Sequence, residues 1–410
     1  MADDGKDSLR LKRGARAAVS LVVDKIVPGG QAISELPDGR KIFLWNALPG
    51  EIVEEVEITK IKSHYVEGIA TKISAPAIPR IEPKDDCYLS TSPYQIMDYN
   101  YELEVKRELL AEVFHQHKLG FKQEIPTVIT DGKDFAYRNK MEYALYFDHA
   151  DERIKPAFHA RGSHRKIPVS RSSIELPEIW QRANEIILEL NRHNEDARKF
   201  QSILLRCNQA GEVSGGLYES HQPHPQFQRL EDVLMGQKFS YSPNGFFQIN
   251  LPVYEMVLDK IHKSITTDKV LDLYAGVGTI GLTAAPDKDL ISVECDKAAY
   301  LELEHNVTVT NAQRTHPAKG IFAKSENALE YIAPDQTVIV DPPRAGCDTR
   351  LLTKLLEVQP RQIIYLSCNP ATQARDVKVL ENLYKIIEVQ PYNFFPRTPH
   401  LENLIILELK

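Results

Sequence analysis

From Lys269 onward, apolar runs of strand length alternate with helical segments, and few folds satisfy that alternation. KVLDLYAG is a strand running into a glycine loop, TIGLTAA opens a helix, LISVECD is a strand, AAYLELEHNVTVTN a helix and KGIFAK a strand. QTVIVDPPR and RQIIYLSCNP are continuous apolar strands, as expected when both faces of a sheet are covered. Elements in this order specify an α/β fold built on a doubly wound parallel sheet. Ligands of such sheets sit beyond the carboxyl ends of the strands, where the chemically suggestive residues of this region fall.

The beginning of the chain reads differently. Residues 11–74 contain short strands separated by turns: VSLVVDKIV, then PGGQAISELPDGRKIFLW with its Asp-Gly turn, the ALPGE turn, the alternating EIVEEVEITKI and finally YVEGIATKI. A small β-barrel follows. SAPAIPRIEPKDD is a proline-rich linker. YELEVKRELLAEVFHQHKL is then an amphipathic helix, and a mixed middle region follows with strands in YRNKMEYALYF and PAFHARGSHRKIPVS, a helix in LPEIWQRANEIILELNRHN and a hairpin from FQSILLRCN to GEVSGGLYES.

With 410 residues, 42% hydrophobic and 26% charged, the chain has the composition of a globular protein of two or three domains. No apolar run approaches the length of a membrane span, and the acidic, polar start MADDGKDSLR does not fit a secretory signal. Cysteines at 87, 207, 295, 347 and 368 form no CxxC pair, which argues against a disulfide framework or structural zinc and for the reducing cytoplasm. The net charge of −7 argues mildly against a nucleic-acid partner. Two basic stretches free of acids argue the other way: Arg10 to Arg16, and Arg153 to Arg171 with Phe158, His159 and His164 interleaved.

Gly276 to Gly281 formally matches G-x-G-x-x-G, and Glu294 ends the next strand, where a carboxylate binds ribose hydroxyls. That segment alone suits a nicotinamide dinucleotide and S-adenosylmethionine equally. Its surroundings favour methyl transfer. Asp272 precedes the loop in D-x-x-x-G-x-G, too few sheet elements follow for two dinucleotide halves, and Asp341-Pro342-Pro343 ends a strand as in methyltransferases acting on bases.

Cys368 ends a buried strand just before Asn369-Pro370. A cysteine there could be plain packing. Carbon 5 of uracil, however, is too weak a nucleophile to attack a methyl sulfonium until a thiolate adds to carbon 6. A base must then remove the proton on carbon 5. Glu402, where FFPRTPHLENLIILEL enters the last apolar strand, and His400 are the two candidates.

DLYAGVGTIGL, VDPPRAGCD, YLSCNPAT and FPRTPHLE together resemble the RNA uracil-5-methyltransferases, which modify 23S rRNA or the tRNA T-loop. YRNKMEY and FFQIN match as well, and the barrel with its ALPGE turn looks like the family's RNA-binding TRAM domain. The resemblance implies a Rossmann-like S-adenosylmethionine-dependent methyltransferase domain over 236–410, an OB-like TRAM barrel over 1–75 and a mixed α+β central region over 76–235. Within that region a helix at about 100–119 would pack on the catalytic domain. It implies Cys368 as nucleophile, Glu402 as base, and Gln248, Tyr274, Glu294 and Asp341 as contacts of S-adenosylmethionine or the base pocket. The expected partner is RNA, 23S rRNA before tRNA, and the expected state is monomeric.

Two departures from the family pattern stand out. Many members hold an iron–sulfur cluster through C-x5-C-G-G-C and a later cysteine. Here Cys87 is the only thiol, with Leu89 and Ser92 on two ligand positions and the later one near Ser172, so no cluster is expected. Asn393 stands where the family usually has an acid. RNA cytosine-5-methyltransferases commonly carry a cysteine, and adenine amino methyltransferases an aromatic residue, where this chain has Arg344. A non-catalytic RNA-binding or ribosome-assembly protein of the same fold is the alternative of a different class.

Overall fold

The computed structural model describes residues 11–220 and 225–410. The C-terminal sheet comprises β1 (Lys269–Leu273), β2 (Asp289–Glu294), β3 (Ala318–Phe322), β4 (Gln336–Val340), β5 (Gln362–Ser367), β6 (Tyr384–Tyr392) and β7 (Glu402–Leu409), in the order β3-β2-β1-β4-β5-β7-β6. The first five are parallel, and β7 runs antiparallel to both β5 and β6. Dinucleotide sheets follow the order 3-2-1-4-5-6. The reversed strand between the fifth and sixth removes the ambiguity that the glycine loop leaves open.

Side chains along these strands alternate between two faces. Val270, Ile339 and Ile364 join one core with helices Leu251–Ser264, Thr279–Ala284 and Lys297–Asn311. Leu271, Val338 and Ile363 join the other with helices Thr349–Val358 and Pro370–Leu380. Leu110 and Phe114 of helix Tyr99–Gln116 complete this second core. The helix that follows the linker thus packs on the C-terminal sheet. No helix among the described residues is long and apolar enough to cross a membrane.

The N-terminal module is a curled six-stranded sheet running from Arg16–Val22 to Tyr65–Ala75, cored by Leu21, Ile42, Leu44, Val53, Val56 and Ile58. Glu51 of the ALPGE turn is buried and accepts hydrogen bonds from the backbone N–H of Leu48 (2.7 Å) and Ala77 (3.1 Å) and from Arg80 Nε (2.5 Å). That grip fixes the linker to the barrel. Ile26 and Leu48 pack with Tyr94, Ile96, Met97 and Val105, and Lys25 pairs with Glu112 at 2.7 Å, so the barrel docks on helix Tyr99–Gln116.

The middle region is a five-stranded antiparallel sheet covered by helix Pro177–Arg192, whose Ile179, Ala183, Ile186, Ile187 and Leu190 form one apolar face. Hairpin Leu230–Leu234 with Gln237–Tyr241 puts Leu230, Leu234, Phe239 and Tyr241 into the first core of the C-terminal sheet. The boundary expected at 235/236 falls in the turn of this hairpin.

Candidate active site

Antiparallel pairing of β5 with β7 sets Ser367 opposite Asn403, so Cys368 and Glu402 are the next residues outward on the two strands, close enough for the Glu402 charge to act on the thiol. Asp341 follows β4 on the neighbouring strand. Cys368 is half-exposed, and burial together with the Glu402 and Asp341 charges pushes its thiol up to about 11, against the pull of the Arg344 guanidinium beside it. Burial, then Asp341, pushes the Glu402 carboxyl well above its ordinary range. Burial raises Asp341 to about 7. Two carboxyls so close in a dry site retain a proton that isolated ones would have shed.

His400 stands at the rim, its Nδ1 3.2 Å from Arg344 Nη2. Partial burial, then Arg344 and further cations, pushes it down to about 4, so the ring is neutral at physiological pH and Nδ1 accepts from the guanidinium.

In the glycine loop, Tyr274 (φ +63°), Gly276 (φ +57°) and Gly278 (φ +91°) have left-handed backbone. A Cβ at Gly278 would stand 2.6 Å from Leu303 Cδ1, whereas one at Gly276 would meet nothing within 4 Å. Gly278 serves packing, and Gly276 leaves room for a ligand. Glu294 is oriented by three backbone N–H groups: Gly276 at 2.8 Å, Cys295 at 2.7 Å and Asp296 at 2.6 Å. Asp272 accepts from Gly281 N at 2.9 Å, its other oxygen is buried without a partner, and burial pushes it up to about 8. Tyr274 is half-buried nearby.

Gln248 is held from the middle region. Asn139 Nδ2 donates to its carbonyl (3.1 Å), Arg206 Nη2 to that of Phe247 (3.0 Å), and Lys140 Nζ to those of Asn244 and Gly245 (3.0 Å each). The YRNKMEY and FFQIN motifs therefore form one clamp. Their separation in sequence hid this.

The residues present fit S-adenosylmethionine. Asp272, Asp341 and Glu402 make a buried excess of acid with raised proton affinity, and Asp272 has an unpartnered oxygen. Such a site favours a cationic ligand.

The two basic stretches converge. Arg13, Arg16, Arg161 and Arg165 line a cleft of about 500 Å³ between the barrel and the middle sheet. Arg10 and the stretch MADDGKDSLR lie outside the described residues. Not every expected cation is free. Arg161 donates to Leu89 O and stacks on Trp45 at 4.2 Å, Lys166 donates to Leu145 O at 2.9 Å, and Lys155 pairs with Asp148 and Asp151.

Cys87 Sγ lies 3.8 Å from Arg171 O, while Ser92 and Ser172 are drawn into hydrogen bonds with Gln95, Asp85 and Glu175. Asn393 Oδ1 accepts from the buried Lys106 Nζ at 2.7 Å, and Glu102, at 2.8 Å, supplies the countercharge to that amine. Arg344 and Lys106 are site residues that the sequence did not single out. An i,i+4 Glu–Lys pair reads as a solvated helix face until its packing is known.

The sheet order and the strand-end site define a Rossmann-like S-adenosylmethionine-dependent methyltransferase. Residues 321–410 match the tRNA (uracil-5-)-methyltransferase family. An uncharacterized RNA methyltransferase of Enterococcus faecalis is 27% identical, covering 90% of this chain and 93% of its own length. One from Gloeobacter violaceus is 26% identical over 95% and 96%. The Pyrococcus abyssi tRNA (uracil-54, C5)-methyltransferase, solved with S-adenosyl-L-homocysteine, superposes with a TM-score of 0.74 at 24% identity, covering 94% of this chain and 99% of that one. The chain is thus similar to RNA methyltransferases over nearly its whole length, and to the uracil-5 family over its last strands and helices.

Proposed function

We propose that the protein methylates carbon 5 of a specific uridine in RNA through a covalent Cys368 adduct, with Glu402 as the base. The observation that carries this reading is the closeness of Cys368 and Glu402 where β5 ends and β7 begins, beside Asp341. Gln248, Tyr274, Glu294 and Asp341 hold S-adenosylmethionine, which when bound supplies an electrophilic methyl group. Cys368 loses its proton to solvent, helped by Arg344, and its sulfur bonds to carbon 6 of the uracil. The electron pair displaced onto the ring makes carbon 5 nucleophilic, and carbon 5 bonds to the methyl as the methyl–sulfur bond breaks, its electron pair staying on that sulfur. Glu402, once it has given its own proton to solvent, removes the proton from carbon 5, the carbon 5–carbon 6 double bond reforms and the Cys368 sulfur leaves. The target base must leave its stack to reach a strand end. The TRAM-like barrel and the basic cleft guide the RNA.

A uridine of 23S rRNA is the first reading of the target. The likeness to the P. abyssi tRNA enzyme spans the barrel and the middle region as well, which favours a T-loop uridine as the second. Mapping 5-methyluridine in total RNA from cells with and without the protein decides. Loss of one site in either RNA supports the reading, and an unchanged map in both contradicts it.

A further inference from the structure

Beside Cys368 lies a cavity of about 400 Å³, within the roughly 300–1,000 Å³ of ligand pockets. Its lining includes Cys368 but none of Gln248, Tyr274, Glu294, Asp341 and Glu402, so of those site residues it borders the cysteine alone. Three separate parts of the chain build it: Pro28 and Gly29 of the barrel, Leu109 and Val113 of helix Tyr99–Gln116, and the catalytic segments around Arg344 and His400. The barrel loop is fixed there. Val27 and Gln31 are bonded at 2.9 Å, Tyr94 Oη donates to Gly30 O at 3.3 Å, and a Cβ at Gly30 (φ +89°) would overlap Pro399. No carboxylate among the described residues lines the cavity. Lys106 spends its amine on Glu102 and Asn393, and Arg344 makes no ion pair with a carboxylate among the described residues.

We propose that this cavity is a second nucleotide site, taking the residue of the RNA next to the uridine presented to Cys368, with the barrel loop Pro28–Gly30 as its outer wall. Arg344 faces the phosphate, and the prolines with Leu109 and Val113 cover the base. The barrel then takes part in choosing the target, beyond tethering RNA. This inference rests on the uridine reading above.

The test uses the full-length protein and RNA containing its methylated uridine, with the base on either side of that uridine removed in turn. Removal on one side should raise KM of the wild type about tenfold. Leu109→Trp and Pro28→Trp, which fill the cavity from different domains, should raise KM for intact RNA similarly, with a smaller change in kcat, and erase the difference between intact and abasic RNA. The inference is overturned if neither abasic RNA differs from intact RNA, or if both variants keep the wild-type dependence on the flanking base. A parallel incubation with 5-fluorouracil-containing RNA separates the two readings. Absence of a wild-type adduct overturns both, whereas an adduct with no flanking-base dependence overturns this one alone.

Discussion

At the ends of β4, β5 and β7 the ionisable groups Asp341, Cys368 and Glu402 are held where water is scarce, and each binds its proton more tightly than in solution. In the cleft between the barrel and the middle sheet, Arg13, Arg16 and Arg165 are exposed, and Arg16 pairs with Glu55 at 3.4 Å. Buried charge in a dry site acts on the reaction, because each group is costly to ionise and its neighbours decide when it does. Exposed charge acts on the encounter with RNA, and salt screens it. Single substitutions at the strand ends should therefore cost turnover at any salt concentration, while those in the cleft should cost affinity in a salt-dependent way.

The largest effect is expected from Cys368→Ala. Turnover measured with radiolabelled methyl donor should fall by on the order of 10⁴-fold or more, while S-adenosylmethionine affinity by calorimetry changes little. Loss of cofactor binding would make the cysteine structural. Glu402→Gln comes next, slowing product release about 10²- to 10⁴-fold so that a protein–RNA adduct builds up on unmodified RNA in denaturing gels. Normal turnover in that variant would transfer the base role to another group.

In the cleft, replacing Arg13 and Arg165 together by Gln should leave kcat near its wild-type value. The slope of log affinity against log salt should become shallower by about 0.7–0.9 for each phosphate that is no longer neutralised. An unchanged slope puts the RNA path elsewhere. Arg161 and Lys166 are poorer choices, because their side chains already grip Leu89, Trp45 and Leu145.

The last expected effect is on stability and leaves the contrast in function aside. Burial raises Asp272 from 3.8 to about 8, so the folded state keeps a proton that the unfolded chain sheds. Its stabilising contribution is complete below pH 3.8, falls as pH rises and is gone above about 8. Asp272→Asn should flatten the decline of the melting temperature across that window. A parallel decline in both proteins would mean that Asp272 titrates normally.

The strand ends were legible because their residues are local in sequence. Each of Asp272, Glu294, Asp341 and Cys368 closes or adjoins an apolar run, and a parallel sheet gathers such ends at one edge. Glu402 was legible from its place at the start of the last strand, although which strand it would face was not. That depends on β7 running backward between β5 and β6, a pairing no local pattern encodes. The cleft was half-legible: both basic stretches stood out, but their meeting depends on how the barrel docks on helix Tyr99–Gln116. The same docking hides Lys106 and Glu102, whose spacing suits a solvated face but whose side chains are buried against Asn393.

Covalent trapping tests the chemistry of residue 368 most directly. Incubation with 5-fluorouracil RNA and S-adenosylmethionine, followed by protease digestion and mass spectrometry, should yield a peptide carrying a methylated fluorouridine nucleotide on Cys368, because fluorine cannot leave as a proton does. Unmodified Cys368 alongside efficient methylation of uridine in ordinary RNA would contradict a thiolate mechanism.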